Sequence, residues 1–526
     1  MTSLSKTWLE AALWLWVVCC AVYFLTAPGR IDIVDGGLRF DVTQSMIEVG
    51  RPIVRTPELL ALRGRDGNRY AFYPLGTSLL ALPLVHLGNW LGHGSLEAEQ
   101  FAFSLTSVPF AAAIAPLLFL IWGRLGVAKS TALRWAFAAA FCTPIWVYAG
   151  SSFDTAIQAF WLTLAVWAAV EAIITTSTMS TRWAIVSGFS FAALVNIQEI
   201  YAALAVCVFA DVRIGIDTVW KRVTNRAVQI IAAGLIVGVS LVLAFNVFKF
   251  GNPLDTGRTA VPHPILGPPP IGLLGLFLSP AKSIFLYCPL YVFGLAGLYK
   301  LRHSRPAMFT IIGACLIVHV QVVSSLRFWA GEWAWGPRYL IASLPLVCIG
   351  FPFAVKPSLK NHLAVAVGTG LVVQLLAISV DHQRYYFERS FLPFFWLDER
   401  AMYVDSPLLA RPGEALAVFS GKDLDKVRAL VPSPHPMSMT SSLYGPLPEM
   451  LLKGRGPEWL REYLVFVVPR PWTLWSRYLP PSLRPGRTDL MTIGGFAVAL
   501  VGVGLLVLRF RQEPTISAFA ETQTGG

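Results

Sequence analysis

Charge is the scarcest commodity in this sequence. Asp, Glu, Lys and Arg make up 14% of its 526 residues, against about 25% in an ordinary soluble domain, and so thin a supply excludes a solvated globular enzyme. Cysteine is also sparse. The seven present, Cys19, Cys20, Cys142, Cys207, Cys288, Cys315 and Cys348, all fall within apolar runs, where they act as small hydrophobes; they form no disulfide framework and no zinc spacing. A glycine-rich phosphate loop and a dinucleotide fingerprint are missing, and no stretch expected in the cytoplasm is long enough for a nucleotide-binding domain. ATP and sugar nucleotides are therefore poor substrate candidates. Asp423 and Asp425 form a D-x-D, but with Lys422 and Lys426 around it the pattern reads as a solvated helix face.

What is present is grease: 55% hydrophobic residues and a mean hydropathy of +0.59. The chain is expected to be an all-α polytopic membrane protein. Candidate bilayer spans, set against the roughly 20 apolar residues a crossing helix needs, begin with Trp8–Ala27, read as a retained anchor, and include two short halves of one hairpin, 183–195 and 200–210. They continue with 101–122, 131–149, 156–176, 183–195, 200–210, 227–247, 284–299, 307–325, 339–355, 362–380 and 491–508, about twelve in all. The piece 79–90 contains Pro83 and His86 and is placed in or along the interface. The hairpin 183–210 is expected to bury its polar turn, Asn196, Gln198 and Glu199, in protein.

Net charge is +12, which could signal nucleic acid. Distributed over twelve alternating spans, however, the short loops with Arg124, Lys129 and Arg134, with Arg213, Lys221 and Arg222, with Lys300, Arg302 and Arg305, and with Arg509 and Arg511 fall on one side, which the positive-inside rule makes the cytoplasm. No nucleic acid partner is expected. The opposite face then collects the segments 28–100, 150–155, 249–283, 326–338 and 381–489. This divides the chain into a transmembrane region 1–380 with a first outer loop 28–100, a Pro-rich outer loop or lid 381–490, and a last helix and tail 491–526. Within the lid, weak helices are expected only around 422–430 and 458–465.

The acids of the first outer loop, Asp32, Asp35, Asp41 and Glu48, stand close to the membrane surface, where an acid can act on a molecule lying in the bilayer. Asp154, in SSFDTAIQAF, is either a helix N-cap or a site acid that orients an acceptor or binds a divalent metal. Lys282 after Pro280, and Arg338 after Gly336-Pro337, each stand at the outer end of a span, either as snorkelling anchors or as partners for phosphate. Glu332, among the tryptophans of FWAGEWAWG, and His263, in TAVPHPILGPPP, are weaker candidates. His86, His319 and Glu199 lie in apolar runs and read as hydrogen-bonded bundle residues.

The run VDGGLRFDVTQSMIEVG followed by DGNRYAFYPLGTSLLALPLVHLG resembles the first outer loop of bacterial membrane glycosyltransferases of the GT-C type, which use polyprenyl-phosphate sugars. Their relatives include the protein O-mannosyltransferases and the lipid A aminoarabinose transferases. CTPIWVYAGSSFDTAIQAF, FNVFKFGNPLDTG, FLSPAKSIFLYCPLY and FWAGEWAWGPRYLIASLPL resemble later segments of the same proteins, in the same order. The resemblance implies a first outer loop with in-plane helices and transfer of a sugar from a polyprenyl-phosphate donor to a lipid, glycan or protein acceptor. It also implies inversion, and an active site facing the periplasm or exterior of a bacterial inner membrane. It places the general base at Asp35 and gives the lipid phosphate to cations of other outer loops, a role for which Lys282 and Arg338 are the candidates; Asp154 is taken as second catalytic acid, and Arg69, Tyr70 and Glu332 as further substrate contacts. Two positions depart from the pattern: Gly37 stands where relatives often have a second acid, and Phe72, in RYAFYPLG, stands where they carry a lysine, leaving Arg69 to substitute. The alternatives are a flippase or exporter of polyprenyl-linked glycans, whose ionisable groups belong at mid-bilayer, and an O-antigen-type polymerase or ligase.

Overall fold

The computed structural model describes residues 5–29, 31–55, 61–175, 178–210, 225–257, 265–331, 333–355, 357–379, 385, 406–419 and 497–505. In order they form α1 (Lys6–Thr26), α2 (Val34–Val49), β1 (Ala61–Arg63), β2 (Arg69–Ala71), α3 (Gly76–Leu91), α4 (Leu96–Ser104), α5 (Val108–Arg124), α6 (Lys129–Phe141), α7 (Ile145–Ala149), α8 (Thr155–Ile174) and α9 (Thr178–Ile197). A 3-10 helix, Glu199–Phe209, precedes α10 (Arg226–Phe250), α11 (Pro269–Leu278), α12 (Ile284–Tyr287), α13 (Leu290–Ser304) and α14 (Pro306–Ser324). Then come α15 (Arg338–Ile341), α16 (Leu344–Cys348), α17 (Phe351–Ala354), α18 (Lys360–Ser379) and α19 (Pro407–Phe419), with residues 497–505 helical as well.

Among the described residues, six helices are long and apolar enough to cross a membrane: α1, the run Leu96–Arg124 made by α4 and α5, α8, α10, α14 and α18. The protein is thus a multi-pass membrane protein. Helix α1 shows the principle: its 21 residues rise about 31 Å, the thickness of the hydrocarbon core, and it ends just before Pro28, which has no amide to give another turn. Ala11, Leu15, Val18 and Cys19 are buried at helical spacing against α5. Trp16 Nε1 donates to the Pro109 carbonyl at 3.1 Å and Tyr23 Oη to the Ala140 carbonyl at 2.9 Å.

Several of the expected spans are broken, and each break has a residue to explain it. The run 131–149 stops at Phe141 and restarts at Ile145, after Pro144. The run 284–299 divides before Pro289, and 339–355 becomes three short helices around Pro345, Gly350 and Pro352. Proline lacks the amide and clashes with the preceding turn, so an apolar run of the right length is not one helix. The hairpin expected over 183–210 is instead one 20-residue helix, α9, followed by the 3-10 helix. Its polar turn is half-buried, with Asn196 Nδ2 bridging to the Gly238 carbonyl on α10 at 3.1 Å.

The segment 28–100, expected as the first outer loop, does carry helices, α2 and α3, but between them it forms an antiparallel hairpin, β1 against β2, with Leu62 opposite Tyr70 and Arg63 opposite Arg69. This corrects the strictly all-α expectation. Within 381–490, where the sequence reading expects a Pro-rich loop, a helix stands at Pro407–Phe419, where none was expected; the two pieces expected further on lie outside the described residues.

Candidate active site

Two stretches far apart in the chain make the centre: the start of α2, and the turn Gly150–Asp154 between α7 and α8. Asp32 is buried and accepts hydrogen bonds from Ser151 Oγ at 2.8 Å and from the Ser152 amide at 2.8 Å. Gly36 lies so near that a Cβ added there would stand 2.6 Å from Ser152 Cβ, whereas one at Gly37 would meet nothing. One turn after Asp35, Arg39 is buried and sets its Nη2 2.7 Å from Asp154 Oδ2, with its guanidinium 4.0 Å from the Tyr73 ring centre. Two clamps on the same turn, Asp32 before and Arg39 after, therefore bracket Asp35. Asp35 itself stands in the first turn of α2, where the helix dipole favours an anion, and its side chain keeps 18% of its surface open.

Gly36→Ala is therefore expected to push α2 off the turn and destabilise the protein by about 1–3 kcal/mol, the usual cost of overpacking. Gly37→Ala is expected to be neutral or slightly stabilising, since alanine favours a helix interior over glycine. Thermal unfolding of the two variants in detergent, side by side, gives the comparison; equal midpoints would mean α2 does not dock on Ser152.

The cation facing Asp35 is Arg338, with Nη1 4.0 Å from Asp35 Oδ2. It is buried, its guanidinium lies 4.0 Å from the Phe153 ring centre, and its Nη2 donates to Tyr339 Oη at 2.7 Å. Just before it, Gly336 takes a left-handed φ of 65° against the Tyr287 ring, where a Cβ would come within 2.7 Å; this bend, suited to glycine, aims Arg338. Lys282 is fully buried and donates Nζ to the Ala334 carbonyl at 2.7 Å. Tyr148 Oη donates to the next carbonyl, Trp335, at 2.8 Å. The segment Ala334–Arg338 is thus pinned to Lys282 and to α7.

Asp35 and Arg338 face each other, Asp154 is tied to α2 through Arg39, and Lys282 reaches the Ala334 carbonyl four residues before Arg338. Asp154 occupies the N-cap position of α8, but its side chain makes no capping bond and goes to Arg39 instead. Arg39 was not singled out in the sequence; its i,i+4 spacing from Asp35 was the available signal. Arg69 and Tyr70 stand apart from these contacts. Arg69 is exposed in β2; Tyr70 is buried and donates to Asp66 Oδ2 at 2.7 Å. Burial first, and that bond second, push its phenol up to about 12, as befits a structural donor. Asp41 accepts from the Arg55 amide at 2.9 Å, and Arg55 also pairs with Glu48. Glu332 and His263 lie outside the described residues.

The divalent metal weighed for Asp154 does not fit this donor set. Asp154 is engaged by Arg39 and Asp35 faces Arg338, so a dication would meet two guanidinium groups. Among the described residues no three His, Cys, Asp or Glu side chains gather in a ligand cluster.

No protein-family model and no curated protein sequence matches the chain. Among solved structures it is similar to ArnT from Cupriavidus metallidurans in the apo state, at 13% identity and a TM-score of 0.46, covering 94% of this chain and 76% of that one. It is similar also to ArnT bound to undecaprenyl phosphate, at 15% identity, a TM-score of 0.43 and the same coverage. A further likeness is to the oligosaccharyltransferase AglB from Archaeoglobus fulgidus in complex with an inhibitory peptide and a dolichol-phosphate, at 12% identity and a TM-score of 0.37, covering 89% of this chain and 60% of that one.

Proposed function

We propose that the protein is a membrane glycosyltransferase that moves a sugar from a polyprenyl-phosphate carrier to an acceptor hydroxyl on the outer face of a bacterial inner membrane, with inversion. The observation that carries this reading is the juxtaposition of Asp35 with Arg338 just past the first span. Transfer breaks the bond between the anomeric carbon and the phosphate oxygen and forms one to the acceptor oxygen. It needs a base for the acceptor proton and positive charge for the departing phosphate. Asp35, partly open and anchored on both sides, takes the proton. Arg338 meets the phosphate with a planar donor fork, and Lys282, fully buried, adds a charge that the surrounding protein screens little.

Thin-layer analysis of membranes incubated with a panel of radiolabelled polyprenyl-phosphate sugars reads the transfer directly. In the same preparations Lys282→Met and Arg338→Gln are expected each to weaken donor binding by roughly 1.5–3 kcal/mol, the range for a lost charge-assisted hydrogen bond, with a smaller effect on stability for Arg338→Gln. Donor affinity at the wild-type level in both variants would remove the two cations from the site.

A further inference from the structure

The described segment 406–419, after α18, reaches both cation-bearing turns. Ser406 precedes Pro407, the first residue of α19, as an N-cap serine before an N1 proline. Its Oγ accepts from the Leu408 amide at 3.3 Å and donates to the Pro280 carbonyl at 2.8 Å, two residues before Lys282. Along the same helix Leu408 packs into a cluster with Val147, Tyr287, Trp335, Val373 and Ala377. Arg411 is fully buried, bonded to Glu414 Oε2 at 2.6 Å, with its guanidinium 5.8 Å from the Trp335 ring centre. Trp335 itself follows Ala334, whose carbonyl holds Lys282, and precedes Gly336, whose bend aims Arg338. A buried arginine is costly to keep, and a segment that merely covered apolar surface would carry an aliphatic residue there.

We propose that Ser406 and Arg411 are positioning residues, and that the segment 406–415 is a strap which holds the turn at Lys282 and the turn at Arg338 in fixed relation to each other. The catalytic consequence rests on the reading of Lys282 and Arg338 as phosphate holders; the strapping itself does not.

The test uses the full-length protein in detergent, with Ser406→Ala, Arg411→Gln and Arg411→Lys. One readout is acetylation of Lys282 by a water-soluble amine reagent, quantified by mass spectrometry against Lys249, which is also fully buried and serves as internal reference. The other is affinity for undecaprenyl phosphate, followed by tryptophan fluorescence. In Ser406→Ala and Arg411→Gln, Lys282 labelling is expected to rise about 10-fold as the turn opens locally, with Lys249 unchanged, and affinity to fall about 10-fold, as expected for the loss of a supporting hydrogen bond. Arg411→Lys should recover part of both. Should Arg411→Gln fail to fold, the milder Ser406→Ala still decides. Unchanged Lys282 labelling overturns the strap. Labelling of both lysines rising together overturns the positioning role, because the whole protein has then loosened. Raised Lys282 labelling with unchanged affinity upholds the strap and overturns the phosphate-holding reading instead.

Discussion

Asp35→Asn is expected to lower turnover by roughly 10²-fold or more, the usual contribution of a positioned general base, while donor affinity and folded yield stay near wild type. The amide keeps the size of the side chain and can still hydrogen-bond an acceptor, but it has no basic oxygen for the proton. The structure makes the two neighbouring acids informative controls, because each already has a structural task. Asp32 is buried and holds Ser151 and the Ser152 amide, so Asp32→Asn should cost about 1–3 kcal/mol of stability through weakened charge-assisted bonds, with activity falling in proportion to the folded fraction. Asp41 holds the Arg55 amide in a part of the loop beyond the bracketed turn, and Asp41→Asn should leave most of the turnover per folded molecule intact. Turnover per folded molecule, measured with a radiolabelled donor, separates these effects. If Asp35→Asn stays active while Asp32→Asn or Asp41→Asn abolishes turnover of correctly folded protein, the base has been given to the wrong acid. If all three remain active, the loop is not catalytic.

The second large effect belongs to the pair that anchors α2. Both side chains of Arg39 and Asp154 are almost closed to solvent, at 3% and 9%. Removing one partner leaves a buried charge unmatched, which typically costs about 3–5 kcal/mol, whereas replacing both by apolar residues of similar volume is often close to neutral. Arg39→Met and Asp154→Leu are therefore each expected to be severely destabilised, and the double variant to recover much of the loss. Denaturant unfolding of the four proteins in micelles completes the cycle. The Tyr73 ring stacked on Arg39 will accept methionine in its place, which favours the recovery. Strictly additive losses would show that the two residues act independently, and the bracket around Asp35 would then rest on Asp32 alone. Activity supplies a separate reading: a stable double variant with little turnover would mean that the charge of Asp154 does more than brace a helix.

Membrane spans are legible in a sequence because the property that selects them is local. A run of about 20 apolar residues has nowhere to lie but the bilayer core, and α1, α8, α10, α14 and α18 need no distant contact to be recognised. The position of Asp35 after the first span was equally plain, as was the nearness of Arg338 and Lys282 to span ends. Less was legible where proline falls inside an apolar run: hydropathy reads 131–149, 284–299 and 339–355 as single spans, while backbone hydrogen bonding breaks each of them. In the first loop the hairpin at Ala61–Ala71 is too short for its alternation to stand out from the loop around it.

The partners of the acids were decided by tertiary structure alone. Asp32, Asp35 and Asp41 are three similar carboxylates within ten residues of one loop, and nothing in their neighbours says which is spent on the fold. The answer comes from Ser151, 119 residues from Asp32, from Arg55 beside Asp41, and from Arg338 across the site. Asp154 shows the same limit: by position it is a helix cap, and only the approach of α2 gives it Arg39. The sequence by itself determined that this chain crosses a membrane and gathers acids and cations at span ends, since composition and spacing act over a single helix. Which acid stays open depends on contacts that the local sequence does not announce, from Arg55, 14 residues from Asp41, to Ser151, 119 residues from Asp32, because a carboxylate's freedom is set by the donors that fold against it.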